Sequence, residues 1–173
     1  MKNLFPFIVL AGLVYACQTP VTAPRAVGFT NWSDDGKAYQ FHLGTETSLA
    51  VLKAFDAASQ EKDYLAIREI MSDTVKITYH NGQSATADEF INMNKRRDSM
   101  LEADGETLNW KLQSAYAVDL DPSRGGELVD AMYLASYDGK EEAYQFYANL
   151  KMYIVDGKII TVNQYNQSIV SDE

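Results

Sequence analysis

The second half of the chain carries four runs of strand period separated by turn chemistry, and this restricts the fold more than any other feature. Trp110, Leu112, Ser114, Tyr116 and Val118 alternate with Lys111, Gln113 and Ala115. A loop over 121–126 precedes a second run over 128–137. Asp138-Gly139 leads to a third over 141–155, and Asp156-Gly157 to a last over 158–170. Successive strand side chains point to opposite faces. Asp-Gly between such runs is the composition of a two-residue hairpin. The expectation is a meander of long antiparallel strands.

The stretch before it has helical period. Leu49, Leu52, Phe55 and Ala58 recur at spacings of three, behind Thr47 or Ser48 as a cap. Lys62-Asp63 breaks that helix, and Asp63 caps a short second one through Leu65, Ile67, Ile70 and Met71. Residues 74–80 alternate as a strand, with Asn81-Gly82 as the turn after it. Thr86-Ala87-Asp88-Glu89 is a capping box, and Phe90, Met93, Arg97 and Met100 or Leu101 continue at helical spacing. Three helices then a sheet give an α+β fold class.

The start of the chain reads as an address. Lys2 is followed by an apolar segment over 4–14, interrupted by Pro6 and closing on Leu13-Val14-Tyr15-Ala16-Cys17. A run of roughly a dozen apolar residues falls short of the ~20 that span a bilayer. Charged residue, apolar segment and small residue before a cut are the parts of a signal peptide. Residues 13–17 resemble the lipobox of bacterial lipoproteins, although Tyr15 is bulkier than the small residue usual there. The resemblance implies removal of 1–16, lipid on Cys17 and a place in the bacterial cell envelope, facing the periplasm or in the outer membrane. The alternative is an ordinary secretory signal. Cys17 is the only cysteine, so no intramolecular disulfide framework forms. Residues 17–44 read as a tether, with Tyr39, Phe41 and Leu43 alternating as either a short edge strand or an arm lying on the domain. The folded domain is 45–173. The net charge is -9, and an acidic chain is a poor nucleic-acid binder, which needs a basic face.

Two helices, a strand, an Asn-Gly turn, a third helix and a meander ending in Asp156-Gly157-Lys158-Ile159 and Gln164-Tyr165 resemble the nuclear transport factor 2-like superfamily, near its SnoaL-like branch. The resemblance covers 45–169. It implies a cone-shaped α+β barrel in which a strongly curved antiparallel sheet wraps round and three N-terminal helices close one side. Its members include isomerases, dehydratases and cyclases, and others that only bind.

Pairing Tyr137 with Lys140 sets Tyr133 against Tyr144. Pairing Val155 with Lys158 sets Leu150 against Asn163. The apolar weight of that face makes it the inner one. Its candidate ligand-binding residues are Tyr133, Tyr144, Asn163 and Tyr165, with Trp110, Tyr116 and Phe146 as apolar surface. A tyrosine with its ring in a core and its hydroxyl at a rim is also ordinary packing. Asp130, Gln164 and Asn166 fall on the outer face, unless a bulge shifts the parity.

Candidate acid-base groups are Asp130, if turned inward, and His80 at the turn. No carboxylate falls on the inner face of the last three strands, where a general base would stand. Asp119, Asp121, Ser123, Glu127 and Asp130 imitate calcium-loop spacing, but Arg124 stands where the glycine belongs. Lys95-Arg96-Arg97 reads as a solvated face with an intramolecular partner. No nucleophile elbow, phosphate loop, dinucleotide fingerprint or zinc spacing occurs, so no metal or cofactor is expected. The first expectation is a binding domain that holds a small, mostly apolar ligand or a protein partner. The second is an acid-base enzyme acting on a cyclic or polyketide-like substrate. The polar outer face is a candidate homodimer surface.

Overall fold

The computed structural model describes residues 25–31, 36–121, 125–139 and 144–169. Cys17, the signal segment and the centre of the calcium-like loop lie outside them. The strands are β1 (Gly28–Thr30), β2 (Tyr39–Leu43), β3 (Met71–Thr78), β4 (Ser84–Ala85), β5 (Thr107–Asp119), β6 (Glu127–Asp138), β7 (Tyr144–Val155) and β8 (Lys158–Ser168). The helices are α1 (Glu46–Gln60), α2 (Tyr64–Ile70) and α3 (Ala87–Ala103). One sheet runs in the order β1-β2-β5-β6-β7-β8-β3-β4, antiparallel except for the parallel β3–β8 pair.

The tether does not stay apart from the domain. β2 pairs with β1, and its end pairs with β5 through His42 opposite Asp119 and Leu43 opposite Val118. Two short strands therefore precede the helices. Gly44 then turns the chain into α1. A Cβ at Gly44 would come within 2.7 Å of the Ala117 side chain and 2.8 Å of Glu127, so the close approach requires glycine there.

The helix starts follow local chemistry unevenly. Asp63 accepts from the backbone N–H of Leu65 and Ala66. Thr86 and Glu89 form the reciprocal capping box. α1 begins a turn earlier than Thr47 or Ser48 suggest. Its cap residue is Thr45, whose side chain makes no capping bond. Glu127 of β6 replaces it, accepting from Thr45 N at 2.8 Å and Thr45 Oγ1 at 3.2 Å.

The core lies between the helices and one sheet face. Leu52, Ile77, Val129, Met152 and Ile159 are its largest fully buried side chains, each stabilising by about 1.5–3 kcal/mol through apolar burial. Among the described residues no helix is long and apolar enough to cross a membrane.

Register bears out one of the two expected hairpins and corrects the other. At Asp156-Gly157 both φ values are positive and Val155 opposes Lys158, as the two-residue turn demands. At Asp138-Gly139 the loop is longer. Tyr137 opposes Tyr144, Tyr133 opposes Ala148 and Ala131 opposes Leu150. Gly139 lies against the Gly105 carbonyl oxygen, where a Cβ would approach to 2.5 Å. The slip is four residues, an even number, so β6 and β7 keep the expected faces.

Two bulges change parity. In β5 the register shifts between Leu112 and Ser114, and Tyr116 opposes Asp130 on the outer face. In β7–β8 it shifts at Tyr153/Ile154. Ile154 opposes Ile159, and Tyr153 opposes Thr161. The extra residue, Ile160, turns everything after it over. Asn163 and Tyr165 therefore stand on the outer face, and Gln164 and Asn166 stand inside.

Candidate functional site

A cavity of about 450 Å³ lies between the three helices and the inner sheet face. Its apolar walls include Phe55, Ile67, Ile77, Phe90, Leu150 and Val162. Trp110 sets its ring edge-on to Tyr133 and to Phe146, with centroids 5.9 and 5.8 Å away, a favourable aromatic geometry.

Of the residues expected on this wall, Trp110, Tyr133 and Phe146 line the cavity. Tyr144 stays half exposed beside Phe146 and Tyr137. Tyr116, Asn163 and Tyr165 are not on the inner wall, because the bulges carry them to the other face. Tyr116 is 57% and Tyr165 56% exposed. His80 lines the cavity at its mouth, with Nδ1 3.3 Å from Asn166 Nδ2. Gln164 donates on to Asn166 at 2.8 Å.

Asp130 does not turn inward. Its strand keeps its parity there, and the side chain is buried on the outer face at 8% exposure. It accepts from Asn149 at 2.5 Å and lies 3.5 Å from the Lys151 ammonium. Burial first, and then Asp130, raise the pKa of neighbouring Tyr116. Asp130 therefore stands outside the cavity, where Lys151 holds it as half of a partly buried ion pair.

Two carboxylates inside come from the helices. Asp56 of α1 and Asp98 of α3 both line the cavity. Tyr133 is only 2% exposed, and among the described residues its hydroxyl has no hydrogen-bond partner. Burial raises its pKa most. The Asp56 carboxylate, close enough to act on it but outside the geometry of a full hydrogen bond, raises it further. The Tyr79 hydroxyl is likewise buried without a partner among the described residues. Burial lifts its pKa, Arg97 opposes that, and Glu89 adds to it.

On the opposite wall Tyr64 donates to Asp98 Oδ2. Arg97 donates to Asp98 Oδ1 from Nε at 3.0 Å and from Nη2 at 2.7 Å. Burial works to raise the Asp98 pKa, but the Tyr64 and Arg97 bonds outweigh it and hold the carboxyl below its usual range. Burial and then the Asp98 bond push Tyr64 up to about 12. Lys95 of the basic cluster lies 5.4 Å over the Tyr64 ring. Among the described residues no three His, Cys, Asp or Glu side chains group as metal ligands.

Sequence reasoning missed Asp56 and Asp98 because it sought a base on the strands. A signal existed for the first. Asp56 shares a helical face with Leu52, Phe55 and Ser59, a carboxylate set into an apolar stripe.

Comparison with solved structures gives the fold. A candidate ketosteroid isomerase from Kribbella flavida DSM 17836 matches with a TM-score of 0.59 at 8% identity, over 76% of this chain and 85% of that one. An NTF2-like protein of unknown function from Burkholderia xenovorans LB400 matches at 0.54 and 16%, over 74% and 88%. This is the nuclear transport factor 2-like fold. A candidate polyketide cyclase from Streptomyces antibioticus matches at 0.55 and 12%, over 71% and 93%. No family model matches the chain, and no curated protein matches it in sequence. At these identities the NTF2-like likeness concerns architecture, and function rests on the site.

Proposed function

We propose that the protein is an acid-base enzyme acting on a cyclic, mostly apolar small molecule that carries a carbonyl oxygen. The observation behind this is the buried, unpartnered Tyr133 hydroxyl beside the Asp56 carboxylate on one cavity wall. A buried hydroxyl without a partner is unfavourable by about 1–3 kcal/mol. A ligand oxygen accepting its hydrogen bond removes that penalty. With its pKa raised above 10, Tyr133 stays protonated at neutral pH and acts as donor. Asp56 is the base. It takes a proton from the carbon next to the carbonyl, and the C–H electron pair moves toward the oxygen. The charge developing there meets the Tyr133 hydroxyl. The likeness to a candidate isomerase and a candidate cyclase supports this reading at the level of fold. A domain that only holds a ligand or protein partner fits the apolar wall equally, but leaves the inward Asp56 without a role.

Native mass spectrometry of the full-length protein from its own host tests the reading. A retained small molecule is expected, and it then serves to assay turnover. Asp56→Asn should bind that molecule and lose at least about 100-fold in kcat. An Asp56→Asn variant with full turnover would remove the base. A protein that emerges empty and at twice the monomer mass would favour the sheet face as a homodimer surface instead. Attachment to the cell envelope through lipid on Cys17 belongs to the same proposal. Palmitate labelling that is lost in Cys17→Ala is its expected result.

A further inference from the structure

The turn between α1 and α2 holds Lys62 in the left-handed region, at φ 55°. Asp63 N donates to Ala58 O at 2.8 Å and Lys62 N to Ser59 O at 3.2 Å. This pair of bonds is a Schellman closure, whose left-handed residue is usually glycine. Among the described residues only Asp156 is another non-glycine with positive φ, and there the two-residue hairpin calls for it. At Lys62 the Schellman closure calls for it, and glycine would meet that requirement with less strain. A side chain with a Cβ is strained there, and strained backbone collects at functional sites.

Lys62, itself an exposed residue, is among those lining the cavity. Its ammonium makes no ion pair among the described residues, although it lies near enough to Asp98 to lower that group's pKa. Arg97 stands on the same wall. Two of its five N–H groups go to Asp98, leaving three for another acceptor. Tyr79 adds a buried hydroxyl with no partner. Three carboxylates, Asp56, Asp98 and Glu106, line the same cavity. Asp98 is held by Tyr64 and Arg97, and Glu106 has an interaction of its own. A donor wall of this kind, inside a chain of net charge -9, calls for an anion on the ligand.

We propose that Lys62 and Arg97 bind a carboxylate on the molecule held in this cavity, making the substrate class a cyclic, mostly apolar carboxylic acid. This rests on the proposed reading of the cavity and names its substrate more closely. Guanidinium and ammonium groups in a partly dry site bind carboxylate through strong, charge-assisted hydrogen bonds. A lysine in place of the usual C-cap glycine is then kept for its ammonium.

Binding of 4-biphenylcarboxylate and of its neutral isostere 4-biphenylcarboxamide to the full chain tests this. The acid should bind at least about tenfold tighter than the amide. Lys62→Gly should melt at a higher temperature, because glycine relieves the strain, yet lose about tenfold in affinity for the acid and none for the amide. Arg97→Gln should lose the acid preference as well. Equal affinities in the wild type, or a Lys62→Gly protein that keeps its affinity for the acid, would overturn the carboxylate site and leave the cavity reading standing. A Lys62→Gly protein that melts lower would overturn the strain argument. If neither probe binds, the cavity reading falls together with this one.

Discussion

The Tyr133 hydroxyl carries the functional argument, and its energetics separate function from stability. Phenylalanine keeps the ring in contact with Trp110 and removes only a buried oxygen that no described protein group satisfies. Tyr133→Phe should therefore melt at the wild-type temperature or higher, by the equivalent of about 1 kcal/mol, while losing ligand affinity. A substantial drop in melting temperature would mean that the hydroxyl is satisfied within the fold. Asp130 shows the opposite case. Its carboxylate is buried and paired on the outer face, so Asp130→Ala should destabilise by about 1–2 kcal/mol, mainly because the Asn149 amide loses its charged acceptor. Thermal denaturation would detect that loss, and turnover per folded molecule should not change.

At the scale of elements, three helix starts are capped in two ways. α2 and α3 are capped by their own local residues, Asp63 and Thr86. α1 depends on Glu127, which is 82 residues from Thr45 in the chain. Glu127→Ala should cost about 1 kcal/mol, read as a lower denaturant midpoint at unchanged slope. It should also loosen the Gly44 corner, where β2 joins β5, giving faster hydrogen exchange there. Exchange unchanged at that corner would show that the Gly44 N bond to the Ala117 carbonyl, at 2.9 Å, holds it alone. The β8 bulge acts at the same scale. Ile160 is the extra residue, so deleting it should leave Val162 opposite Met152 and Gln164 facing the cavity. A cross-strand nuclear Overhauser effect between Met152 and Val162 checks this.

Across the whole molecule the tyrosines and Asp98 set the pH range of stability. Tyr64, Tyr79 and Tyr133 have folded pKa values above the ordinary 10. Above about pH 10 the unfolded chain gives up these protons first, so stability is full below that point. It falls as pH rises toward the folded values, about 12 for Tyr64. Asp98 has its pKa below 3.8. Its contribution is full above about pH 4 and is lost as the pH falls through the folded value. Melting temperature against pH should show a plateau with both flanks. Tyr64→Phe should soften the alkaline flank, and Asp98→Asn the acid flank. An alkaline flank unchanged in Tyr64→Phe would assign it to Tyr133 and Tyr79.

The sequence by itself determined what depends on near neighbours. The Asp63 and Thr86 caps, the Asp156-Gly157 turn and the period of each long strand were legible because each is decided within a few residues. The faces of β6 and β7 were legible too, because a hairpin slip of four residues preserves alternation. Tertiary structure decided the rest. A single extra residue in β8 reversed the faces of Asn163, Gln164, Tyr165 and Asn166, and one in β5 put Tyr116 outside. Nothing in the local composition marks either position. A bulge forms where the bend of a strand must match its neighbours, a condition set by the whole sheet. The site carboxylates Asp56 and Asp98 sit on separate helices, and only packing brings those helices to one cavity. Membership in a cavity is a property of distant segments meeting, and periodicity along one segment carries no record of it.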